Sequence, residues 1–121
     1  MYDVQVKKII GLVEDDQTIA TVVSSLLEEE GYQVVRMSMA EELFRFFRDR
    51  TADLILLDYR LPDMEGKDLL RKLRPQEKAP VIVISADHSV KEVSLQAGAQ
   101  DFIGKPFDIE ILLSAIRKYI T

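Results

Sequence analysis

Four short segments carry side chains capable of chemistry. Glu14-Asp15-Asp16 follows one apolar run, Asp58 closes a second, Ser85 closes a third, and Lys105-Pro106 follows a fourth. Carboxylate oxygens are hard ligands that suit Mg²⁺, which keeps several waters and takes one or two protein carboxylates beside a phosphate oxygen. A carboxylate can also be the nucleophile itself, forming an aspartyl phosphate. A lysine ammonium and a serine hydroxyl would then supply counter-charge and a hydrogen bond for phosphoryl oxygens. Each residue also has an ordinary reading. Acids after a strand often cap the next helix, and Asp16 is read as a cap. Glu14 and Asp15 suit a solvated turn, and Asp58 a turn position. Ser85 suits a strand end and Lys105 an open surface. These ordinary readings predict no convergence, so the fold must decide between them.

The elements that position these residues alternate along the chain. Lys8–Val13, Gln33–Met37, Leu54–Asp58, Val81–Ser85 and Asp101–Gly104 are predicted strands. Between them, apolar residues recur at helical spacing. Ile19, Val22, Val23, Leu26 and Leu27 mark the first helix, with Asp16 as N-cap and Gly31 as its stop. Ala40, Leu43, Phe44 and Phe47 mark the second, and Leu69, Leu70 and Leu73 the third, over Gly66–Leu73. A short fourth helix is expected from about Ser89 to Ala97. Ile109, Leu112, Leu113, Ile116 and Ile120 mark the fifth, capped by Asp108.

Five strand–helix repeats predict an α/β fold, (βα)5 and doubly wound, with a parallel sheet covered on both faces. The first, third and fourth strands are apolar throughout, as buried parallel strands are. The second carries Gln33 and Arg36 and reads as an edge. Right-handed crossovers favour the flavodoxin-like strand order 2-1-3-4-5. In that order the four chemical segments fall on one rim, at the carboxyl ends of the strands.

Composition narrows the function further. The 121 residues carry 47% hydrophobic and 31% charged side chains, which suits one globular domain over residues 1–121. There is no cysteine and a single histidine, His88, so disulfides, thiol catalysis and His-rich zinc sites are excluded. Sixteen basic against twenty-one acidic residues give a net charge of −5, which argues against direct nucleic-acid binding. No apolar run approaches the roughly 20 residues that cross a bilayer. The N-terminal Met-Tyr-Asp-Val-Gln lacks a signal peptide's layout, so the expected location is cytoplasmic, with no membrane partner. His88 is read as a loop residue. Met37, Met39 and Met64 are read as gap-fillers. Arg45, Arg48 and Arg50 are read as a solvated face of the second helix, balanced by Glu41, Glu42 and Asp49.

From about Lys8 to Ile120 the chain resembles the receiver (CheY-like) domain of two-component response regulators. The matching pieces are LVEDDQ (Leu12–Gln17), DLILLDYRLPDMEG (Asp53–Gly66), VIVISA (Val81–Ala86) and AGAQDFIGKPFD (Ala97–Asp108). The resemblance implies that Asp58 is the phosphoacceptor. It implies a Mg²⁺ cofactor bound by Asp15 and Asp58, by the Arg60 backbone carbonyl, and by Glu14 through water. Lys105 would pair with the phosphoryl group, Ser85 would be the switch hydroxyl, and Phe102 the switch aromatic. The donor would be a sensor histidine kinase or a histidine phosphotransfer protein. The fourth helix, fifth strand and fifth helix would form the face that changes. Such a domain is regulatory rather than an enzyme, beyond its own phosphorylation and slow dephosphorylation. The family also implies a cis Lys105–Pro106 bond.

Some positions depart from the family. Eleven residues separate Ala86 from Gly98, a shortened interval. Gly11 sits within a strand, where glycine marks close approach of another element. Phe102 lacks the hydroxyl of the tyrosine often found there. Ile111 and Ala115 replace the Glu and Arg of the winged-helix subfamily, leaving Ile111 as an exposed apolar contact. A second reading is a Mg²⁺-dependent hydrolase of the haloacid-dehalogenase or Toprim type. Those want a tight acid pair, whereas this chain has Asp58-Tyr59-Arg60. A third is a pure interaction module without phosphorylation.

Overall fold

A computed structural model describes residues 6–120. In chain order the elements are β1 (Ile9–Val13), α1 (Gln17–Glu29), β2 (Gln33–Met37), α2 (Ala40–Phe46), β3 (Leu54–Asp58), α3 (Gly66–Leu73), β4 (Val81–Ser85), α4 (Lys91–Gln96), β5 (Asp101–Gly104) and α5 (Ile109–Tyr119), with a 3₁₀ turn at His88–Val90 before α4. All strand pairs are parallel, in the order β2-β1-β3-β4-β5. This is the flavodoxin-like arrangement expected from the alternation of elements.

Strand side chains alternate between faces, and the core divides accordingly. Ile10, Leu12, Leu54, Leu56, Ile82 and Ile84 face one layer, against Ala20, Val23 and Leu27 of α1 and Leu112, Leu113 and Ile116 of α5. Val13, Ile55, Leu57, Val81 and Val83 face the other, against α2, α3 and Val90. Leu54–Leu57 and Val81–Val83 are all at 0% exposure. Burying each such side chain stabilises by about 1.5–3 kcal/mol relative to exposure. The rigid centre of the sheet therefore carries Asp58 and Ser85 at its end.

Local chemistry sets several element boundaries. β1 begins at Ile9 rather than Lys8, where the Ile9 N–H donates to Asp53 Oδ2 at 2.7 Å. Asp16 Oδ1 accepts from the N–H groups of Thr18 and Ile19 at 3.0 and 3.1 Å, the expected N-cap. Gly31, at φ +95°, lies just past the C-terminus of α1 and supplies the left-handed conformation that stops it. Gly11 fits the close approach: a Cβ there would stand 2.7 Å from Ile55 Cδ1 and 3.1 Å from Met37 Cε.

Five sequence expectations are corrected. Ile19 and Val22 are exposed, because α1 buries only the narrower stripe Ala20, Val23, Ser24, Leu27. In α2 the buried aromatic is Phe46. Phe44 and Phe47 are half-buried; the helix ends at Phe46, and the Phe47 ring turns edge-on to it. Arg48 and Arg50 therefore lie beyond the helix, and the Arg50 guanidinium stacks over Phe46 at 4.8 Å. Asp108 stands at the N-cap of α5 without a side-chain cap. Its carbonyl, not its carboxylate, accepts from Ile111 and Leu112. The fourth helix is shorter than expected. Its N-terminal residues form the 3₁₀ turn, where Asp87 accepts from the Ser89 N–H.

Candidate functional site

The carboxyl ends of β1, β3 and β5 bring the acids and the lysine together. One carboxylate oxygen each from Glu14, Asp15 and Asp58 lies within 4.8 Å of the others. Lys105 Nζ stands 3.6 Å from Glu14 Oε1 and 3.7 Å from Asp58 Oδ2. Asp58 is mostly buried, and its Oδ1 accepts from the Arg60 N–H at 3.3 Å. Asp16, by contrast, is spent on the α1 cap. The ordinary reading of Glu14 and Asp15 as a solvated turn holds for Asp15, which is exposed, but not for Glu14, which is 5% exposed.

Glu14 is the most perturbed acid of the group. Burial first, and then the hydrogen-bonded Asp58 carboxylate, raise its carboxyl from 4.5 to about 8, with Lys105 pulling the other way. Glu14 Oε2 is buried with no hydrogen-bond partner. Three carboxyl groups gather beside one ammonium, so the cluster is short of positive charge once they ionise. A hard divalent cation would supply it, and the all-oxygen donor set suits Mg²⁺. Arg60 follows Asp58 by two residues and forms an isolated antiparallel bridge with Glu65. The adjoining backbone bonds pair Gly66 N–H with the Tyr59 carbonyl and Leu61 N–H with the Met64 carbonyl.

Ser85 and Phe102 sit on neighbouring strands. Ser85 is buried, and its Oγ accepts from the Asp87 N–H at 3.0 Å. Phe102 is half-buried on the ladder opposite Val83, packed against the α2–α4 side of the core. The Lys105–Pro106 bond is cis, as the resemblance implied. Ile111 is 54% exposed, also as expected.

Two tertiary contacts were invisible to sequence reasoning, one beside this rim and one at the opposite end of the sheet. Asp63, in the β3–α3 loop, accepts from the N–H groups of Ala40 and Glu41 at 2.9 and 3.0 Å, capping α2 from 22–23 residues away. Burial opposes its ionisation, but those N–H groups hold its carboxyl below the ordinary value. Met39, at the N-cap position itself, supplies no side-chain bond. Arg74 donates to the carbonyls of Gly98, Glu77 and Ala79 and to Gln100 Oε1, tying α3 to the loops around β4. Neither contact leaves a local pattern in the sequence.

The acid–lysine cluster lies at the carboxyl ends of the strands of a doubly wound sheet, where α/β folds of this class hold their ligands. The chain belongs to the response regulator receiver domain family, whose model matches residues 10–117. It is thus a receiver domain of the two-component response regulator type. It is 40% identical over 110 residues to the response regulator ArlR of Staphylococcus saprophyticus, covering 89% of this chain and 50% of that protein. It is 32% identical over 117 residues to the CAI-1 autoinducer sensor kinase/phosphatase CqsS of Vibrio cholerae, covering 92% of this chain and 17% of that one. Among solved structures, the receiver domain of sensor histidine kinase PA1611 from Pseudomonas aeruginosa superposes with a TM-score of 0.85 at 31% identity, covering 94% of this chain and 98% of that one. That structure holds a magnesium ion in its active-site cleft. The chain spans about half the length, or less, of the curated relatives it matches. No helix among the described residues is long and apolar enough to cross a membrane.

Proposed function

We propose that this receiver, read as one unit over residues 1–121, accepts a phosphoryl group on Asp58 from a sensor histidine kinase or a histidine phosphotransfer protein. The observation that carries this is the cluster itself: three carboxylates within 4.8 Å of one another, with Lys105 beside two of them. Asp15, Asp58 and the Arg60 carbonyl would hold Mg²⁺ directly, and Glu14 through water. When bound, the ion would offset the charge of the acids and the phosphoryl oxygens, a reading supported by the buried Glu14 Oε2 that has no hydrogen-bond partner. An oxygen of Asp58 attacks phosphorus, and its new O–P bond forms as the bond to the leaving imidazole breaks. Lys105 pairs with the phosphoryl oxygens. Water later cleaves the acyl phosphate and regenerates the Asp58 carboxylate.

The phosphoryl group brings about −1.5 to −2 charge. Ser85 turns its hydroxyl to that group, and Phe102 moves inward into the space released. The face of α4, β5 and α5 then changes, a local charge biasing a bistable element. On this reading the domain is regulatory, acts in the cytoplasm and contacts neither nucleic acid nor membrane itself. The hydrolase alternative loses its support with the family assignment.

Acetyl phosphate tests the proposal. Mass spectrometry should find label on Asp58, abolished in Asp58→Asn and by EDTA. Equal labelling of the Asn variant would reject Asp58 as nucleophile.

A further inference from the structure

The β4–α4 loop touches both neighbouring strand ends through consecutive residues. On the β3 side, Arg60 Nη2 donates to Asp87 Oδ2. On the β5 side, His88 Nε2 stands 3.3 Å from the carbonyl oxygen of Lys105. A carbonyl only accepts, so a hydrogen bond here needs the tautomer with the hydrogen on this nitrogen. The imidazole also fills the space beside Gly104. A Cβ there would stand 2.8 Å from its Cδ2 and 2.9 Å from its Cε1, and would collide with its Nε2. Gly104 is the ladder partner of Ser85. His88, three residues after Ser85, thus folds back over the strand that pairs with it. The shortened interval and the 3₁₀ turn at His88–Val90 make that fold-back possible.

These contacts close a ring: Ser85 Oγ accepts from the Asp87 N–H, His88 reaches Lys105, and Gly104 pairs with Ser85. The Ser85 hydroxyl is held to its own loop while that loop is held to β5. We propose that His88 and Gly104 form a size-matched latch that fastens the β4–α4 loop to the carbonyl of Lys105, so that Ser85 engages a phosphoryl group only when the latch opens. His88 is in this role a positioning residue. The inference rests on the phosphoacceptor reading of Asp58 and assigns that site a restraint of its own.

The two halves of the latch can be removed separately. His88→Ala deletes the ring. Gly104→Ala displaces it, since a methyl group claims its place. Gly104 does not have a positive φ, so alanine there meets no backbone strain. The measurement is the rate of Asp58 labelling by acetyl phosphate at fixed Mg²⁺. Each single variant should label about two- to tenfold faster than the unaltered protein, the weight of one hydrogen bond. The double variant should be no faster than the faster single, because both substitutions break the same contact. His88→Gln, which keeps an N–H donor within reach, should stay within about twofold of the unaltered rate. Unchanged or slower labelling in His88→Ala overturns the latch, as do fully additive singles. Should Gly104→Ala fail to fold, His88→Ala and His88→Gln still decide. No labelling of Asp58 in the unaltered protein would overturn the phosphoacceptor reading itself, a result distinct from any pattern among the variants.

Discussion

The guanidinium of Arg60 spans from the end of β3 to the loop after β4, with Nη2 2.9 Å from Asp87 Oδ2 and Nη1 3.3 Å from Glu65 Oε1. The Asp87 carboxylate holds the Arg60 guanidinium charged beyond its ordinary range. Asp87 in turn sits below the usual carboxylate range, first through hydrogen bonds from Ser89 and then through Arg60. A water that attacks a phosphoryl group on Asp58 in line must pass the rim that this pair bridges. Both side chains are exposed, so the pair has little weight in stability. Arg60→Ala should therefore shorten the lifetime of the phosphorylated protein several-fold at unchanged melting temperature. Asp87→Ala should change the lifetime too, because it frees the arginine. Unchanged decay in both variants would show that this pair does not obstruct the water.

Asp15 and Asp16 are adjacent carboxylates with different duties. Asp15 lies in the acid cluster, and Asp16 spends an oxygen on two N–H groups of α1. Asp15→Ala should weaken Mg²⁺ binding by tenfold or more, measured by titration, with little loss of stability. Asp16→Ala should leave Mg²⁺ binding near normal and cost about 0.5–2 kcal/mol of stability, as caps do. Equal losses of Mg²⁺ affinity in the two variants would contradict the division.

Gly11 tests the packing beneath the site. Its missing Cβ is what lets Ile55 Cδ1 and Met37 Cε close over β1. Both neighbours are core residues on flanking strands, so neither can swing into solvent. Gly11→Ala should overpack the sheet by about 1–3 kcal/mol in denaturant melts. A stabilised Gly11→Ala, as strand propensity alone predicts, would show that the side chains yield freely.

What the sequence disclosed follows from how each feature is encoded. LILLD and VIVIS are short apolar runs ending in a polar residue, so β3 and β4 were located to the residue, and Asp58 and Ser85 with them. The convergence of Glu14, Asp15, Asp58 and Lys105 followed from the strand order, since parallel strands end on the same rim. Helix faces were harder. Ile19 and Val22 match the spacing of the buried stripe, yet α1 packs on a narrower line and leaves them exposed. Phe44, Phe46 and Phe47 are too close together for periodicity to choose among them. Contacts between distant loops left no trace at all. Asp63 capping α2 and His88 lying on Gly104 depend on loop paths that no local pattern specifies.

Glu14 links stability, pH and metal binding in one measurement. In the metal-free fold its carboxyl is raised from 4.5 to about 8, because it is buried and shares its site with Asp58. An acid whose pKa is raised on folding favours the folded state when protonated. Its contribution is fully present below about 4.5 and is lost as pH rises through about 8. Without metal, the melting temperature should therefore fall as pH rises across that window. Glu14→Gln keeps the shape without the ionisation, so it should flatten this fall. Mg²⁺ needs the carboxylates ionised, so its binding should release protons, and the melting temperature it adds should grow from pH 5 to pH 8. Calorimetry in two buffers of different ionisation enthalpy measures the protons released. A metal-free melting curve that rises across the window, in a protein whose Glu14→Gln variant behaves identically, would show that Glu14 is ionised in the folded state.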